Sequence, residues 1–285
     1  VLPYVKLLAQ RLPAPVELLR VVEHLPPEWM DWTVGVQPIQ LAASMSSQAQ
    51  EYVDGVAESL ANKGLVVSAS ILGGKTESTI IDEVEKQPGT LLAMGTHGSA
   101  GINRWLLGSV TQKVISLTSG PVLIVRSREP ELADPEVDLQ NIIVPLDGST
   151  FAEQVIPHVV TLARSLDLHV LLVRVTLPIE DYYRSQGMPV APYGDLSREI
   201  DTMTRKYFTQ VQKRLSQEGI TRVGVRILHG HPADAIIGFA RETPNNLVAM
   251  TTHGRSGVGR WLLGSVASRV VDQCGDPVLL VRAKE

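Results

Sequence analysis

Two stretches of this chain carry glycine, serine and arginine at spacings suited to holding an anion. The first is GTHGSAGINRWLLGSV, residues 95–110, and the second is TTHGRSGVGRWLLGSV, residues 251–266. Each follows an apolar run that reads as a buried strand, and each leads into a helical pattern. Glycines let a backbone come close to a ligand and adopt positive φ. Ser109 and Ser265 stand just before the helical runs, where free N–H groups and the helix dipole favour a negative charge such as phosphate. A phosphate cradle is one reading and a plain tight turn is the other; the glycine spacing alone leaves both open. Arg104 and Arg260 occupy matching positions, and Arg255 lies nearby. A guanidinium there either completes phosphate binding or makes a surface salt bridge. Trp105 and Trp261 read as packing residues beneath the loop.

Other residues with chemical potential fit less well. GGKT from Gly73 resembles the end of a Walker loop, but Ala69 stands where the first glycine is needed. Its repeat counterpart, HGHP from His229, lacks both Lys and Thr. Gly257 and Gly259 begin a dinucleotide pattern, but Leu262 occupies its last glycine position. His97 and His253 have no second metal ligand near them in sequence and read as backbone-positioning residues. His229 and His231 form an H-x-H pair that the first copy replaces with Gly73 and Lys75, so no metal site is expected. Cys274 reads as a small packing residue. Asp181, Tyr182 and Tyr183 fall in a loop that shapes a lid or an interface.

The elements that position these segments are themselves repeated. Between residues 91–126 and 247–282, laid together without gaps, twenty of thirty-six positions are identical. The match extends back to LPYVKLLAQRL from Leu2 against IPHVVTLARSL from Ile156. The period is that of a whole domain, not of a solenoid unit. In the second copy, NIIVPLD from Asn141, HVLLVRV from His169, RVGVRIL from Arg222, NLVAMTT from Asn246 and PVLLVR from Pro277 read as strands. Helices alternate with them: one capped by Ser149 and Thr150 and running to about Leu166, one around residues 196–217, one opened by Pro232, and one after the glycine loop. Alternating strands and helices with near-continuous apolar strands predict a parallel sheet covered on both faces.

The first copy follows the same plan with one omission. Val1 aligns with Val155, inside the second copy's first helix, and nothing matches NIIVPLDGSTFAEQ. A strand preceding Val1 is expected to complete this sheet; a strand donated by another molecule is the alternative. The expected organisation is a first domain at 1–128, a charged, proline-bearing linker at 129–139, and a second domain at 140–285.

Composition bounds the function. The chain has 285 residues, 44% of them apolar and 20% charged, with a net charge of −4. That is ordinary globular composition without a nucleic-acid binder's basic surplus. No apolar run reaches the ~18 residues a membrane span needs, and no signal peptide is visible. Cys274 is the only cysteine, which excludes an intrachain disulfide and fits a reducing, cytoplasmic setting.

The glycine segments resemble the nucleotide motif of the universal stress protein family, G-x2-G-x9-G-(S/T). Gly95, Gly98, Gly108 and Ser109 match it fully; Gly254, Gly264 and Ser265 match it in the second copy, where Thr251 replaces the first glycine. IIVPLDGS from Ile142 and the order of elements are also similar to that family. The resemblance implies an α/β fold of two tandem doubly wound, Rossmann-like domains of the adenine nucleotide alpha hydrolase type. Each would be a five-stranded parallel sheet of order 3-2-1-4-5, with ATP, with or without Mg²⁺, at the strand ends. It implies that Pro145, Asp147, Val175, Met250, Gly254, Gly264, Ser265 and Val266 contact nucleotide in the second domain, Asp147 on the adenosine and Val175 and Met250 at adenine. In the first domain the matching positions are Val21, Met94, Gly95, Gly98, Gly108, Ser109 and Val110. The Cβ of Thr251 is expected to crowd phosphate or ribose. The resemblance further implies that PVLIV from Pro121 and PVLLV from Pro277 pair within the chain as a pseudo-dimer, or that whole chains form a homodimer.

Three functions follow. The favoured one is a nucleotide-dependent stress-response or signalling module with little turnover, since no activated nucleophile stands out. The others are a scaffold that has lost nucleotide binding in one or both domains, and a slow Mg²⁺-dependent ATPase in which Asp147 places metal or water.

Overall fold

The strands that carry the glycine segments end up in one sheet, because the last strand of each half pairs with the other. The computed structural model describes residues 1–23, 38–96, 107–126, 136–176, 194–253 and 263–284. The first half runs α1 (Leu2–Arg11), β1 (Val16–Val22), α2 (Pro38–Ala61), β2 (Val67–Gly73), α3 (Thr76–Glu85), β3 (Leu92–Gly95), α4 (Ser109–Leu117) and β4 (Val122–Val125). The second runs β5 (Asn141–Pro145), α5 (Thr150–Glu153), α6 (Ile156–Leu166), β6 (His169–Thr176), α7 (Gly194–Gln217), β7 (Val223–His229), α8 (Pro232–Glu242), β8 (Asn246–Thr251), α9 (Ser265–Gln273) and β9 (Val278–Val281).

In the second half the strands lie in the order β9-β8-β5-β6-β7, all parallel. Counted by appearance this is 5-4-1-2-3, the doubly wound order the resemblance implied. The central strand β5 is buried on both faces, with Ile142, Ile143 and Val144 wholly inaccessible, which is why it reads as a continuous apolar run. The single helix expected from Thr150 to Leu166 is two. α5 stops at Glu153 and α6 restarts at Ile156. Pro157, in the first turn of α6, has no N–H to continue the ladder of α5. At its other end α6 is closed by Asp167 in the left-handed conformation, φ 53°.

The first half departs from the single five-stranded sheet. Its strands form two parallel pairs, β1 with β2 and β3 with β4. By repeat position β1 corresponds to β6 and β3 to β8, and in the second half both of those flank β5. No stretch of residues 1–126 corresponds to β5, so β1 and β3 are not joined through the sheet. Instead β4 pairs antiparallel with β9, in the register Val122↔Leu280, Leu123↔Leu279, Ile124↔Val278. A seven-stranded sheet, β3-β4-β9-β8-β5-β6-β7, therefore crosses from one half to the other.

Alternation along β4 and β9 sends residues of both halves to both faces. Leu123, Val125, Leu279 and Val281 join one buried cluster with Leu8, Ile142, Val144 and Phe208. Val122, Ile124, Val278 and Leu280 join another with Ile115, Ile143, Val248 and Val270. Neither core belongs to one half alone. No helix among the described residues is long and apolar enough to cross a membrane.

Helices α3 and α4 are clamped at their sides. Glu77, in the first turn of α3, accepts a hydrogen bond from Lys113 of α4 at 2.6 Å and lies 3.2 Å from the Lys75 ammonium. The bond from Lys113 holds the Glu77 carboxyl down to about 2. The second half uses other residues for the same pair of helices: Arg269 of α9 meets Asp234 of α8 at 2.6 Å.

Two outcomes follow for stability. Leu279→Ala removes a side chain that faces Leu123 across the seam, at a cost of about 2–5 kcal/mol. Urea unfolding followed by circular dichroism and by tryptophan fluorescence should show one shared transition at a lower midpoint; two transitions with only one displaced would refute the shared core. Glu77→Gln should lower the urea midpoint at pH 6. A depressed carboxyl stabilises the fold above its ordinary value of 4.5, and this is lost as pH falls toward 2, so the gap between parent and variant should close over that interval.

Candidate functional site

The carboxyl ends of the parallel strands carry the candidate residues. In the second half, β5 ends at Pro145, and the Leu146 N–H donates to the Val173 carbonyl at 2.8 Å, prolonging its pairing with β6. Asp147 follows, half-buried at the strand end. Its Oδ1 accepts from the Ser149 N–H at 2.9 Å and from the Ser149 hydroxyl at 2.6 Å. Ser149 Oγ in turn accepts from the Ala152 N–H at 3.1 Å, capping α5 as expected. Gly148 between them takes φ 82°, a turn that suits glycine. Asp147 is thus fixed by its own turn at the mouth of the sheet.

The glycine–serine junction is built identically in both halves. The Thr252 N–H donates to the Val281 carbonyl at 2.9 Å, and the Thr252 carbonyl accepts from the Gly264 N–H at 2.9 Å. In the first half the Thr96 N–H donates to Val125 at 3.2 Å and the Thr96 carbonyl accepts from Gly108 at 2.9 Å. Gly264 and Gly108 are the N-caps of α9 and α4, with φ/ψ of −58°/148° and −61°/146°. Their φ values suit any residue; the close approach is what requires glycine. A Cβ on Gly264 would sit 2.7 Å from the Thr252 carbonyl oxygen. The exposed Ser265 and Ser109 then open the helices. Neither cap supplies a side-chain bond, and the first-turn N–H groups have no partner within a helix, so the junction presents donors and the positive end of a dipole.

The apolar candidates lie against this end of the sheet. Met250 is buried in one core cluster, and Val175, Val266 and Met94 pack on that same cluster. Pro145 ends β5, in register with Val173. Val110 is half-buried in the first turn of α4. Val21 lies on β1 opposite Leu72, and the sheet does not join it to Met94 on β3. Gly98, Gly254, Arg104, Arg255 and Arg260 lie outside the described residues, as do His97, Trp105, Trp261, Asp181, Tyr182 and Tyr183.

Thr251, the departure from the motif, is 6% exposed, and its hydroxyl donates to the His253 carbonyl at 2.7 Å. In the first half the matching strand end is Gly95, and its carbonyl accepts from the Thr111 hydroxyl of α4 at 3.0 Å. The residue matching Thr111 is Ala267. Beside Thr96 and Thr252, then, the first half has a threonine on the helix and the second has one on the strand, and their hydroxyls serve different carbonyls.

Three features escaped the sequence. The Glu23 carboxylate, just after β1, accepts from the Thr76 hydroxyl at 2.6 Å and the Thr76 N–H at 3.3 Å, bonds that hold its carboxyl below the ordinary value. The hydroxyl bonds of Thr111 and Thr251 are the second. The third crosses between halves: the Leu107 N–H donates to the Asp272 carboxylate of α9 at 3.1 Å. Its signal was present as a mismatch, since Ser116 stands at the position matching Asp272.

Few groups here suit covalent chemistry. Burial pushes the Cys274 thiol up to about 11, and its Sγ lies 3.8 Å from Asp276 Oδ2. The His229 ring is engaged with the Thr176 hydroxyl at 2.9 Å. Among the described residues, no group of three or more His, Cys, Asp or Glu side chains is placed to hold a metal ion.

Comparison with known proteins gives this arrangement its family. The model of the universal stress protein family matches twice, over residues 2–126 and 139–282. A universal stress protein of Mycolicibacterium smegmatis is 24% identical over 277 residues, covering 95% of this chain and 88% of its own. One from Methanocaldococcus jannaschii is 29% identical over 143 residues, covering 50% of this chain and 82% of its own. The crystal structure of a universal stress protein from Archaeoglobus fulgidus superposes with a TM-score of 0.69 at 19% identity, covering 99% of this chain and 92% of that one, a likeness of fold. With both copies of its repeat matched and the same α/β architecture in a full-length structural relative, the chain belongs to the universal stress protein family.

Proposed function

We propose that the protein is a stress-response or signalling module that binds adenine nucleotide, ATP with or without Mg²⁺, at its two glycine–serine junctions and turns it over little. The observation that carries this reading is the junction itself. At Gly264 a glycine that tolerates no Cβ brings a helix N-terminus against the strand end, and Gly108 repeats its cap dihedrals and its bond to the threonine carbonyl. Phosphate suits the donors of that helix end. Met250, Val175 and Val266 supply an apolar wall for a base, and Asp147, held by Ser149, supplies an acceptor for a sugar hydroxyl. Family membership supports the stress-response role.

Little turnover is expected because Asp147 is tied into its own turn and the only cysteine is a buried thiol. The antiparallel pairing of β4 with β9 supports reading the chain as an intrachain pseudo-dimer, in which nucleotide at one junction biases the other half.

Titration calorimetry with ATP and Mg²⁺ tests the reading. The parent chain should bind ATP, and Gly264→Val should reduce the stoichiometry by one, because its side chain is driven onto the Thr252 carbonyl. An unchanged stoichiometry would remove the second junction from the proposal. A parent that binds no ATP would overturn it.

A further inference from the structure

The second half reaches into the first half's junction. Leu107 immediately precedes Gly108, the N-cap of α4, and its N–H is held by Asp272 Oδ1 across 165 residues of chain. The next N–H, of Gly108, is held by Thr96 from within the half. Two successive amides are thus pinned by two different halves, directly before Ser109. A second tie follows at the far end of the same helix, where Arg282 Nη1, just after β9, donates to the Leu117 carbonyl at 3.0 Å. The β4–β9 seam makes both reaches possible by bringing α9 and the end of β9 beside α4.

The reciprocal tie uses other chemistry or none, because the repeat differs at this point. Ser116 replaces Asp272, and its hydroxyl turns to its own helix, donating to the Gln112 carbonyl at 2.8 Å. A serine is too short for the reach that an aspartate makes from the same helical position, and it carries no charge to strengthen the bond. The asymmetry lies where the two copies diverge, since residues 115–120 and 271–276 differ at all six positions.

We propose that Asp272 is a positioning residue for the first half's phosphate-binding junction, so that the second half sets the first half's affinity for nucleotide. This rests on the nucleotide reading above. Asp272 does not touch the ligand; it fixes the amide that leads into the α4 N-cap, and the donors of that first turn are aimed by it. Because Asp272 stands on α9, whose own N-terminus is the second junction, a merely structural role predicts damage at the second site. The positioning role predicts loss at the first.

Calorimetric ATP titration separates the two. In a Gly264→Val background, which leaves the first junction, Asp272→Ala should weaken ATP binding about tenfold, the effect of losing one bond to a charged acceptor. Asp272→Asn, which keeps an acceptor oxygen, should restore most of it. In a Gly108→Val background, which leaves the second junction, Asp272→Ala should have little effect. Amide hydrogen exchange at Leu107 in the ligand-free parent should accelerate with Asp272→Ala, independently of nucleotide. Equal weakening at both junctions, or no change at the first, overturns this proposal alone. A parent chain that binds no ATP overturns the nucleotide reading together with it.

Discussion

The antiparallel pairing of β4 with β9 is the contact on which the rest of the molecule depends. It spans three residue pairs, yet it joins two sheets into one and closes both cores. Without it, β3 and β4 would be a two-stranded ribbon, marginal by itself in water. With it, Leu123 and Ile124 point into opposite clusters that the second half largely fills. An exposed edge strand is an aggregation hazard, and here each last strand covers the other's edge. The same pairing sets α4 beside α9 and so permits the bond between Leu107 and Asp272.

The repeat unit was legible because its strands are buried on both faces, which leaves short apolar runs such as Ile142–Val144 between turn residues. Helix starts at Ser109, Pro232 and Ser265 were legible through glycine, proline and serine, whose backbone preferences are local. The strand order of the second half came from resemblance, not from periodicity, since pairing partners leave no mark on a buried run. The break between α5 and α6 had its signal in Pro157, but Ser149 as a cap drew the helix forward across it. The two separate strand pairs of the first half reflect a central position that no segment of residues 1–126 matches.

The junction itself was partly legible. Glycine at position 264 announced a close approach, and its distance to the Thr252 carbonyl gives the reason. The partner of Leu107 was not legible, because a side chain 165 residues away selects it through the fold. Thr251 looked like a defect in the motif. In the structure it is buried and its hydroxyl serves the His253 carbonyl, while in the first half Thr111 serves the Gly95 carbonyl. The departure on the strand is accompanied by a second on the helix, where Ala267 replaces Thr111.

That pair of differences constrains how such a repeat can change. Gly95 goes with Thr111, and Thr251 goes with Ala267. Replacing Thr111 alone leaves the Gly95 carbonyl without its hydroxyl donor, and replacing Thr251 alone leaves the His253 carbonyl without its own. The glycine segments match at eleven of sixteen positions, and likeness between repeats is what lets recombination within a gene homogenise them. A crossover falling between positions 95 and 111 would separate the partners, whereas one outside that interval would move them together. Residues 95–111 are therefore inherited as a block, and the two halves can keep different hydroxyl donors at their junctions while RWLLGSV between those positions stays the same.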